Sequence, residues 1–343
     1  SDGGVGLALT AFGLVYAVTQ FPSGTYSDQL SRASVTLPAF VVLILSFVFL
    51  GFPGGVGAFV AGILLLGLGK GLYASPTRAT ISDLYSDSRG RALGIYTAGT
   101  DVGGLIAAGL AAYVLARATW RVAFMPILLV IAVVAVLYVA WNAETYRVER
   151  ASLGAGETIN RIVASQSQRE QLVAYALFYF AVGGLINFYP SLLVESGFSE
   201  ARASGAFALL FVVGIVVKPI AGDASDRYPR PLVSAVGLLL AGAGFVVIVV
   251  ADSLLWVVLG TVLAAVGYKT QFPIADAVVL EAAPDKNVAG DLGAARGVFL
   301  TANAIGPGFV GLVADVASFG LAFWGLAAAL LASAGILGRQ YYR

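Results

Sequence analysis

Two lysines lie deep inside long apolar stretches of this sequence, where a charged side chain is costly. Lys70 is thirteen residues from Asp83, and Lys269 is twelve from Glu281. At about 1.5 Å per helical residue, both lysines lie about 18 to 20 Å inside, past the middle of a hydrocarbon core of about 30 Å. Ionisable residues at that depth mark binding sites or ion pathways. The pair therefore predicts a positively charged substrate cavity that holds a carboxylate or a phosphate ester.

Asp101, ten residues beyond Arg91, lies at a similar depth. It could neutralise Lys70 in a purely structural pair, or it could carry a coupling proton, because an apolar surrounding disfavours the charged form of a carboxyl group. Asp276 is the second candidate for a proton carrier, and transport without coupling stays open. The side chains expected to offer hydrogen bonds in the same cavity are Tyr73, Asn187, Tyr268 and Gln271.

An internal repeat organises the whole chain. The stretch PSGTYSDQLSR, at 22–32, returns as PIAGDASDRYPR at 219–230. Adding 198 to a residue number takes Gly24 to Gly222, and no gap is needed. Self-similarity of this kind predicts two related halves. The same shift pairs Asp28 with Asp226, Arg32 with Arg230, and Asp83 with Glu281.

Arg78 and Asp276 are equivalent positions of the repeat and have opposite charges. Each lies five residues from the carboxylate at its helix end, hence about 7 to 8 Å inside. We predict that they form an ion pair that bridges the halves and closes the cytoplasmic side. The alternative is that Arg296, at a similar depth, neutralises Asp276 within its own half.

The composition requires lipid as the solvent. The chain has 343 residues, of which 59% are hydrophobic and only 11% are charged, and its mean hydropathy is +0.89. A globule of this size has too little interior to bury so much apolar surface. Cysteine and histidine are absent and the net charge is +1, which gives no reason to expect disulfides, an imidazole metal site or a nucleic-acid partner. We predict an all-α membrane protein without cofactor, metal or enzymatic activity.

The predicted domains are an N-terminal bundle at 1–142, a polar linker at 143–170 and a C-terminal bundle at 171–343. We interpret the linker as a solvated tether with a surface helix across 157–170. Eleven apolar stretches are each long enough to cross a bilayer. These predicted spans are 3–27, 34–50, 56–83, 90–116, 120–142, 171–195, 202–222, 231–251, 254–281, 288–314 and 317–338.

The distribution of loop cations predicts the orientation in the cell membrane. Most of them lie on the side of the Asp28 loop, and only Arg117, Arg121 and Arg202 lie on the other side. Because positive loops stay in the cytoplasm, the repeated loops and the linker are predicted to be cytoplasmic. Lys218 is placed near that surface, where its side chain would extend toward water.

The repeated loop resembles the signature between the second and third helices of the major facilitator superfamily. That signature is Gly, three residues, Asp, a cation, any residue, Gly, and then further cations. Gly24, Asp28 and Arg32 match it in the first copy, whereas Gln29 and Ser31 depart from it. In the second copy the matching residues are Gly222, Asp226, Arg227 and Arg230, with Pro229 in place of the second Gly.

The similarity extends to RGRALG at 89–94 and covers nearly the whole chain. It implies a monomer with two six-helix bundles around a central cavity, which alternating access opens to either side. A span precedes Ser199 but none precedes the equivalent Ser1, so the repeat predicts that helix 1 of the family is missing from this sequence. The residues assigned to a cytoplasmic latch and gate are Gly24, Asp28, Arg32, Arg78, Asp83, Gly222, Asp226, Arg227, Arg230, Asp276, Glu281 and Arg296.

These observations together predict a secondary transporter of a small, anionic organic solute, with proton coupling as an open question. Lipid and the solute are its expected partners. An exporter of drugs or amphipathic compounds is the alternative. It is weakened because no proline occurs between Pro76 and Pro126, whereas antiporters of the superfamily have a Gly-Pro pair in helix 5. A membrane sensor that transports nothing comes third, because the charges within its spans would then have no purpose.

Overall fold

The chain folds into helices, and the computed structural model describes residues 2–52, 54–115, 119–149 and 152–342. No strand occurs in these ranges. Arg117, used above to predict the orientation, lies outside them. The helices are α1 (Asp2–Gln29), α2 (Arg32–Gly51), α3 (Val56–Leu84), α4 (Arg89–Leu115), α5 (Phe124–Trp141), α6 (Ala155–Ile162), α7 (Gln166–Glu195), α8 (Glu200–Arg227), α9 (Arg230–Val249), α10 (Leu254–Ala282), α11 (Val288–Val316) and α12 (Phe319–Tyr341).

Ten helices within the described ranges are long and apolar enough to cross a membrane, namely α2 to α5 and α7 to α12. The predicted count of eleven is not confirmed, because α1 is not among them. None of the residues of α5 is buried, and the exposed side chains include Leu129, Val133 and Val139. A helix that is apolar on every side and exposed is stable where it faces lipid.

Hydroxyl side chains define several helix starts. Ser31 accepts a hydrogen bond from the amide of Ser34 at the start of α2. Ser165 and Gln168 form a reciprocal capping box at the start of α7. The predicted surface helix across 157–170 is therefore wrong, because α6 ends at Ile162 and α7 already begins at Gln166.

The first part of the linker is hydrogen-bonded to the start of α2. A side-chain oxygen of Glu144 accepts from the amide of Ala33 at 3.0 Å. The Ser34 hydroxyl accepts from the amide of Arg147 at 2.8 Å and donates to its carbonyl at 2.9 Å. This part of the linker is exposed, and it is also anchored to α2 by these hydrogen bonds.

The chain divides into two compact units. Both α4 and α11 contribute to each of them, and the predicted bundle limits of 1–142 and 171–343 stay a prediction. The first unit contains Ser1–Asp83, Ile106–Ile162 and Ala282–Gly297, and the second contains Leu84–Leu105, Val163–Glu281 and Val298–Arg343.

Glycines allow close packing of α9 and α10 in the second unit. A Cβ atom on Gly267 or on Gly244 would overlap backbone atoms of Ala241 or of Ala264, respectively. Small residues at helix contacts let backbones approach in this way. The tight contact fixes the helix on which Lys269 lies.

Candidate functional site

A buried carboxylate of α4 lies between two lysines in the second unit. Asp101 Oδ1 accepts a short hydrogen bond from Lys269 Nζ of α10. Its other oxygen, Oδ2, lies 2.7 Å from Lys218 Nζ of α8. All three side chains are at most 4% exposed. We name these three residues the charge cluster; with every group ionised it has one positive charge in excess.

Lys218 is held by two hydrogen bonds and an ion pair. Its Nζ atom donates to the carbonyl oxygen of Thr97 and to the Oγ1 atom of Thr100, both at 2.9 Å. The contact with Asp101 Oδ2 is an ion pair, because that oxygen accepts no hydrogen bond from the described residues. The ring of Phe272 lies 4.8 Å from the same Nζ atom. The prediction that Lys218 extends toward the membrane surface is therefore wrong, because the residue is only 2% exposed.

Lys269 is held more loosely. Within the described residues, Asp101 is the one hydrogen-bond acceptor on its Nζ atom. The ammonium group also lies 4.9 Å from the ring of Phe211 and 5.0 Å from that of Tyr268, as in cation–π contacts. The Tyr268 hydroxyl is buried and has no hydrogen-bond partner in the part of the chain that the structure describes. Lys269 thus keeps two N–H donors beside Asp101, and the Tyr268 hydroxyl is a further donor without a partner in the described residues.

Gly214 of α8 makes room for the cluster. A Cβ atom there would collide with Asp101 Oδ2 and would lie 2.9 Å from Lys269 Cδ. The aspartate is short and is held by both lysines, so it cannot swing aside without breaking an ion pair.

We expect Gly214→Ala to lower the free energy of unfolding by about 1 to 3 kcal/mol, the usual effect of overpacking a tight interior. Gly205→Ala is the matched control in the same helix, because its Cβ atom would meet nothing within 4 Å. The control should be neutral or stabilising by up to about 1 kcal/mol, since alanine favours a helix over glycine. Thermal unfolding of the purified proteins in detergent measures both. Equal midpoints for the two variants would contradict the packing described above.

The other residues predicted for the cavity are distributed over both units. In the second unit, the Asn187 side chain donates to the carbonyl of Gly183 in its own helix, and Gln271 donates to the carbonyl of Ser234. In the first unit, Tyr73 packs against Phe40. The geometry therefore brings together Asp101, Tyr268 and Lys269 from the predicted set.

Lys70 has aromatic contacts in the first unit. Its Nζ atom lies 4.7 Å from the ring centre of Tyr16 and 5.6 Å from that of Phe12. The predicted neutralisation of Asp101 by Lys70 is wrong, because the ion pairs of Asp101 are with Lys218 and Lys269.

In the first unit, the aspartate of the repeated loop caps a helix. The two oxygens of Asp28 accept from the amides of Ala289 at 3.1 Å and Gly290 at 2.7 Å, in the first turn of α11. First-turn amides have no partner inside their helix, and the positive end of the helix dipole favours an anion there. Burial raises the pKa of the Asp28 carboxyl, while Arg32 and the two amides act in the opposite direction.

The second copy of the loop makes the same contact in the second unit. The oxygens of Asp226 accept from the amides of Gly90 and Arg91 in the first turn of α4, both at 2.8 Å. A Cβ atom on Gly222 would overlap the carbonyl oxygen of Gly90, just as one on Gly24 of the first copy would overlap a backbone carbonyl of α11. The spacing Gly, three residues, Asp therefore has a physical reason. Glycine lets the helices touch, and one turn later the carboxylate reaches the amides.

Two cations of the repeated loops form ion pairs with the carboxylates at the ends of α3 and α10. Arg32 lies 3.3 Å from Asp83, and Arg230 contacts Glu281. Arg227, which was also assigned to the latch, is exposed and pairs instead with Asp223 of its own helix at 3.0 Å.

The sequence analysis did not predict the ion pair that Arg161 of α6 forms. It donates to Asp291 in the first turn of α11 at 2.7 Å. These hydrogen bonds raise the pKa of the Arg161 guanidinium. The linker helix thus holds the same turn of α11 that Asp28 caps.

The residues of the predicted gate are buried in different units. Arg78 of the first unit donates to the carbonyl of Ala74 at 2.9 Å. Arg296, also of the first unit, lies 3.5 Å from the hydroxyl of Tyr16. Asp276 is buried in α10 of the second unit. The pairing of Arg78 with Asp276, and its alternative with Arg296, stay predictions.

Ten long apolar helices, lipid-facing aliphatic side chains and a buried ionic cluster define a multi-pass integral membrane protein. No group of residues that could hold a metal ion occurs in the described part of the chain. The chain belongs to the Major Facilitator Superfamily, whose family model matches residues 1–170 and again residues 171–340. The protein is therefore a transporter of this superfamily, as the repeated signature indicates.

Solved structures of the superfamily are similar to this chain over 98% of its length. The E. coli fucose:proton symporter FucP has a TM-score of 0.80 at 14% identity, with 90% of its chain covered. The human organic anion transporter MFSD10 (TETRAN) has a TM-score of 0.82 at 20% identity, with 83% covered. The proton:xylose symporter XylE has a TM-score of 0.81 at 14% identity, with 86% covered. At these identities the similarity shows the fold alone, and no curated protein matches the sequence.

Proposed function

We propose that this transporter moves a small organic anion across the plasma membrane by alternating access, and that the anionic group binds at the lysines of the charge cluster. The observation that carries the proposal is the ratio of two buried lysines to one buried aspartate. A positive charge in excess is unfavourable in an apolar interior. An anionic solute would balance it.

Lys70 of the first unit is proposed as a cation that contacts the substrate. It is exposed, and its ammonium lies over the rings of Tyr16 and Phe12. Tyr73 of the first unit and Asn187 and Gln271 of the second are proposed as hydrogen-bonding groups for the substrate.

The remaining assignments concern movement and orientation. Asp28 and Asp226, each on the first turn of another helix, form latches that must open when those helices move. Arg78 of the first unit and Asp276 of the second stay the proposed gate residues. Both latches face the cytoplasm, in agreement with the loop cations. Asp101 is the preferred proton carrier, with Asp276 as the second candidate.

An exporter of amphipathic compounds remains a second candidate. The rings of Phe211, Tyr268 and Phe272 surround the ammonium groups of the charge cluster. Such rings favour a ligand that has an apolar body as well as a charged group.

The test is uptake into proteoliposomes with acetate, lactate, benzoate, xylose and the cationic dye ethidium as probes. We expect uptake of at least one carboxylate, and we expect Lys269→Gln to reduce it by at least about tenfold, since the ligand loses a charge-assisted contact. Lys286→Gln is the matched control in an exposed loop and should transport like the wild type. Uptake of ethidium with no carboxylate uptake would favour the exporter, and uptake of xylose alone would contradict both candidates.

A further inference from the structure

We propose that Gln29 and Ser31, the residues at which the first loop departs from the family signature, form a docking site for the chain's own linker. We name residues 144–149 together with Ser152 the strap, and the contact of Asp28 with the first turn of α11 the α11 cap. The bound strap restrains the opening of the α11 cap. This inference concerns the movement of the protein and holds for any transported solute.

The Gln29 side chain binds the backbone of the strap at Ser152. Its Nε2 atom donates to the Ser152 carbonyl at 2.6 Å, and its Oε1 atom accepts from the Ser152 amide at 2.9 Å. A carboxamide has both a donor and an acceptor, as a peptide group has, so the two groups match. The cation that the signature has at this position could donate to the carbonyl, but it has no acceptor for the amide. Glutamine therefore suits the strap better than the signature residue does.

Ser31 provides a second contact on the same loop. Its hydroxyl donates to the carbonyl of Thr145 at 3.0 Å and accepts from the amide of Ser34 at the start of α2. The glycine of the signature has no side chain and could make neither contact. Glu144 and Arg147 are hydrogen-bonded to the start of α2, as described above. The strap is therefore bound to the loop and to α2 at both of its ends.

The linker connects the same two elements that the α11 cap connects. After the strap comes α6, whose Arg161 donates to Asp291 in the first turn of α11 at 2.7 Å. Asp28 accepts from the amide of the preceding residue, Gly290, in the same turn. The loop and α11 are thus connected directly through Asp28, and a second time through the strap and α6. A second link keeps separated partners at a high effective concentration, so the α11 cap closes again sooner after it has opened.

The second copy of the loop lacks the groups that bind the strap. Adding 198 to the numbers of Gln29 and Ser31 gives Arg227 and Pro229. Proline has no polar side chain, and Arg227 pairs with Asp223 of its own helix. Both loops cap a helix through their aspartate, but the residue types suit a strap in the first copy alone. The two copies therefore differ in how readily their caps open.

Polar contacts that water can replace hold the strap. Gln29 and every residue of the strap are exposed. A cavity of about 450 Å³ lies beside the strap and is lined by polar groups that include Asp28, Arg32 and Glu144. Hydrogen bonds that exchange with water contribute little net stability each, so such a segment can open locally while the helices stay folded. The strap is therefore a reversible restraint and not part of the folded core.

A movement of α7 would act on the strap through α6. Residues 163–165 are all that separate the end of α6 at Ile162 from the start of α7 at Gln166. So short a segment absorbs little displacement, because an extended chain spans at most about 3.5 Å per residue. A displacement of α7 therefore pulls on Arg161 and, through it, on the strap. In this way the linker couples the α11 cap to α7.

Hydrogen–deuterium exchange of the purified protein in lipid nanodiscs tests the strap at the amides of Ala289 and Gly290. Gln29→Met removes both hydrogen bonds to Ser152 at nearly the same side-chain length, and exchange at the two amides should rise by about three- to tenfold, because the α11 cap stays open longer. Arg161→Met breaks the link at its other end and should cause a rise at least as large. Since both substitutions break one connection, the double variant should exchange no faster than Arg161→Met alone.

Arg227→Met is the matched control, because it changes the residue equivalent to Gln29 in the copy that lacks the strap. It should leave the exchange unchanged in both loops. In every variant the amides of Gly90 and Arg91, which Asp226 accepts from, should keep the wild-type exchange. These amides distinguish a local opening of the α11 cap from a general loss of stability.

Three results would contradict the strap. The first is wild-type exchange at Ala289 and Gly290 in Gln29→Met. The second is a double variant in which the two single effects multiply, because Gln29 and Arg161 would then be separate local contacts. The third is an equal rise at Gly90 in the second unit. The measurement needs no substrate, so each of these results leaves the proposed anion transport standing, and failure of carboxylate uptake would leave the strap standing.

Discussion

Replacing Lys218 with methionine is expected to lower the free energy of unfolding by about 1 to 3 kcal/mol, the range found when a buried hydrogen-bond acceptor is left without its donor. Asp101 would keep one lysine, and the Thr97 carbonyl would lose its contact with the ammonium group. Methionine has nearly the same length, so the loss reports the charge and its hydrogen bonds and not a cavity. Unfolding of the purified protein in detergent, followed by circular dichroism, measures the change.

The matched control is Arg227→Met, which removes a cation from the same helix. Arg227 is 69% exposed and pairs with its helix neighbour Asp223, so its removal should change the stability by at most about 0.5 kcal/mol. The double variant Lys218→Met/Asp101→Leu should be less stable than Lys218→Met, because Lys269 would then be buried without its carboxylate partner. A loss for Lys218→Met as small as that for Arg227→Met would mean that Lys218 reaches the membrane surface after all.

The depth of Lys218 could have been read from the sequence. It lies eight residues before Asp226, hence about 12 Å inside the helix. Asp101, ten residues beyond Arg91, lies at about 15 Å by the same count. The sequence interpretation placed Lys218 near the membrane surface, but α8 continues beyond it to Arg227. The depth of Lys218 in the membrane could therefore be derived from the sequence. Its partners could not, because Thr97 and Lys218 are far apart in the chain and the periodicity does not indicate which helices are in contact.

The repeated loop shows the same limit. The repetition identified its glycine and its aspartate. The partners, the first turns of α11 and α4, could not be derived, because Asp28 and Gly290 are far apart in sequence. The start of α7 was different, since its signal is local. Ser165 followed by Gln168 is a capping box that predicts a helix start without any tertiary information.

Gly24→Ala and Gly222→Ala are expected to reduce transport by at least about tenfold, because each inserts an atom into a contact between two backbones. The new Cβ atoms would overlap the carbonyl oxygens of Ala289 and Gly90. Backbone atoms cannot rotate away as a flexible side chain can, so the facing helix must withdraw. Asp28 and Asp226 would then lose the first-turn amides that they cap, at a cost of about 0.5 to 2 kcal/mol for each cap.

Hydrogen–deuterium exchange measures the loss of the hydrogen bonds between these aspartates and the first-turn amides. In Gly222→Ala the amides of Gly90 and Arg91 should exchange faster, and in Gly24→Ala those of Ala289 and Gly290 should do so, since each amide is hydrogen-bonded to the aspartate in the wild type. Uptake of the transported carboxylate measures the functional effect.

Each helix provides its own control, because Gly13 of α1 and Gly205 of α8 have open space where a Cβ atom would lie. Gly13→Ala and Gly205→Ala should transport normally and unfold at the same or a slightly higher temperature, since alanine favours a helix by up to about 1 kcal/mol. If Gly24→Ala and Gly222→Ala keep the wild-type exchange rates, these glycines do not determine how closely the helices pack. If exchange rises while uptake stays normal, the caps exist but do not limit transport. Faster exchange together with slower uptake is the combination that the geometry of both loops predicts.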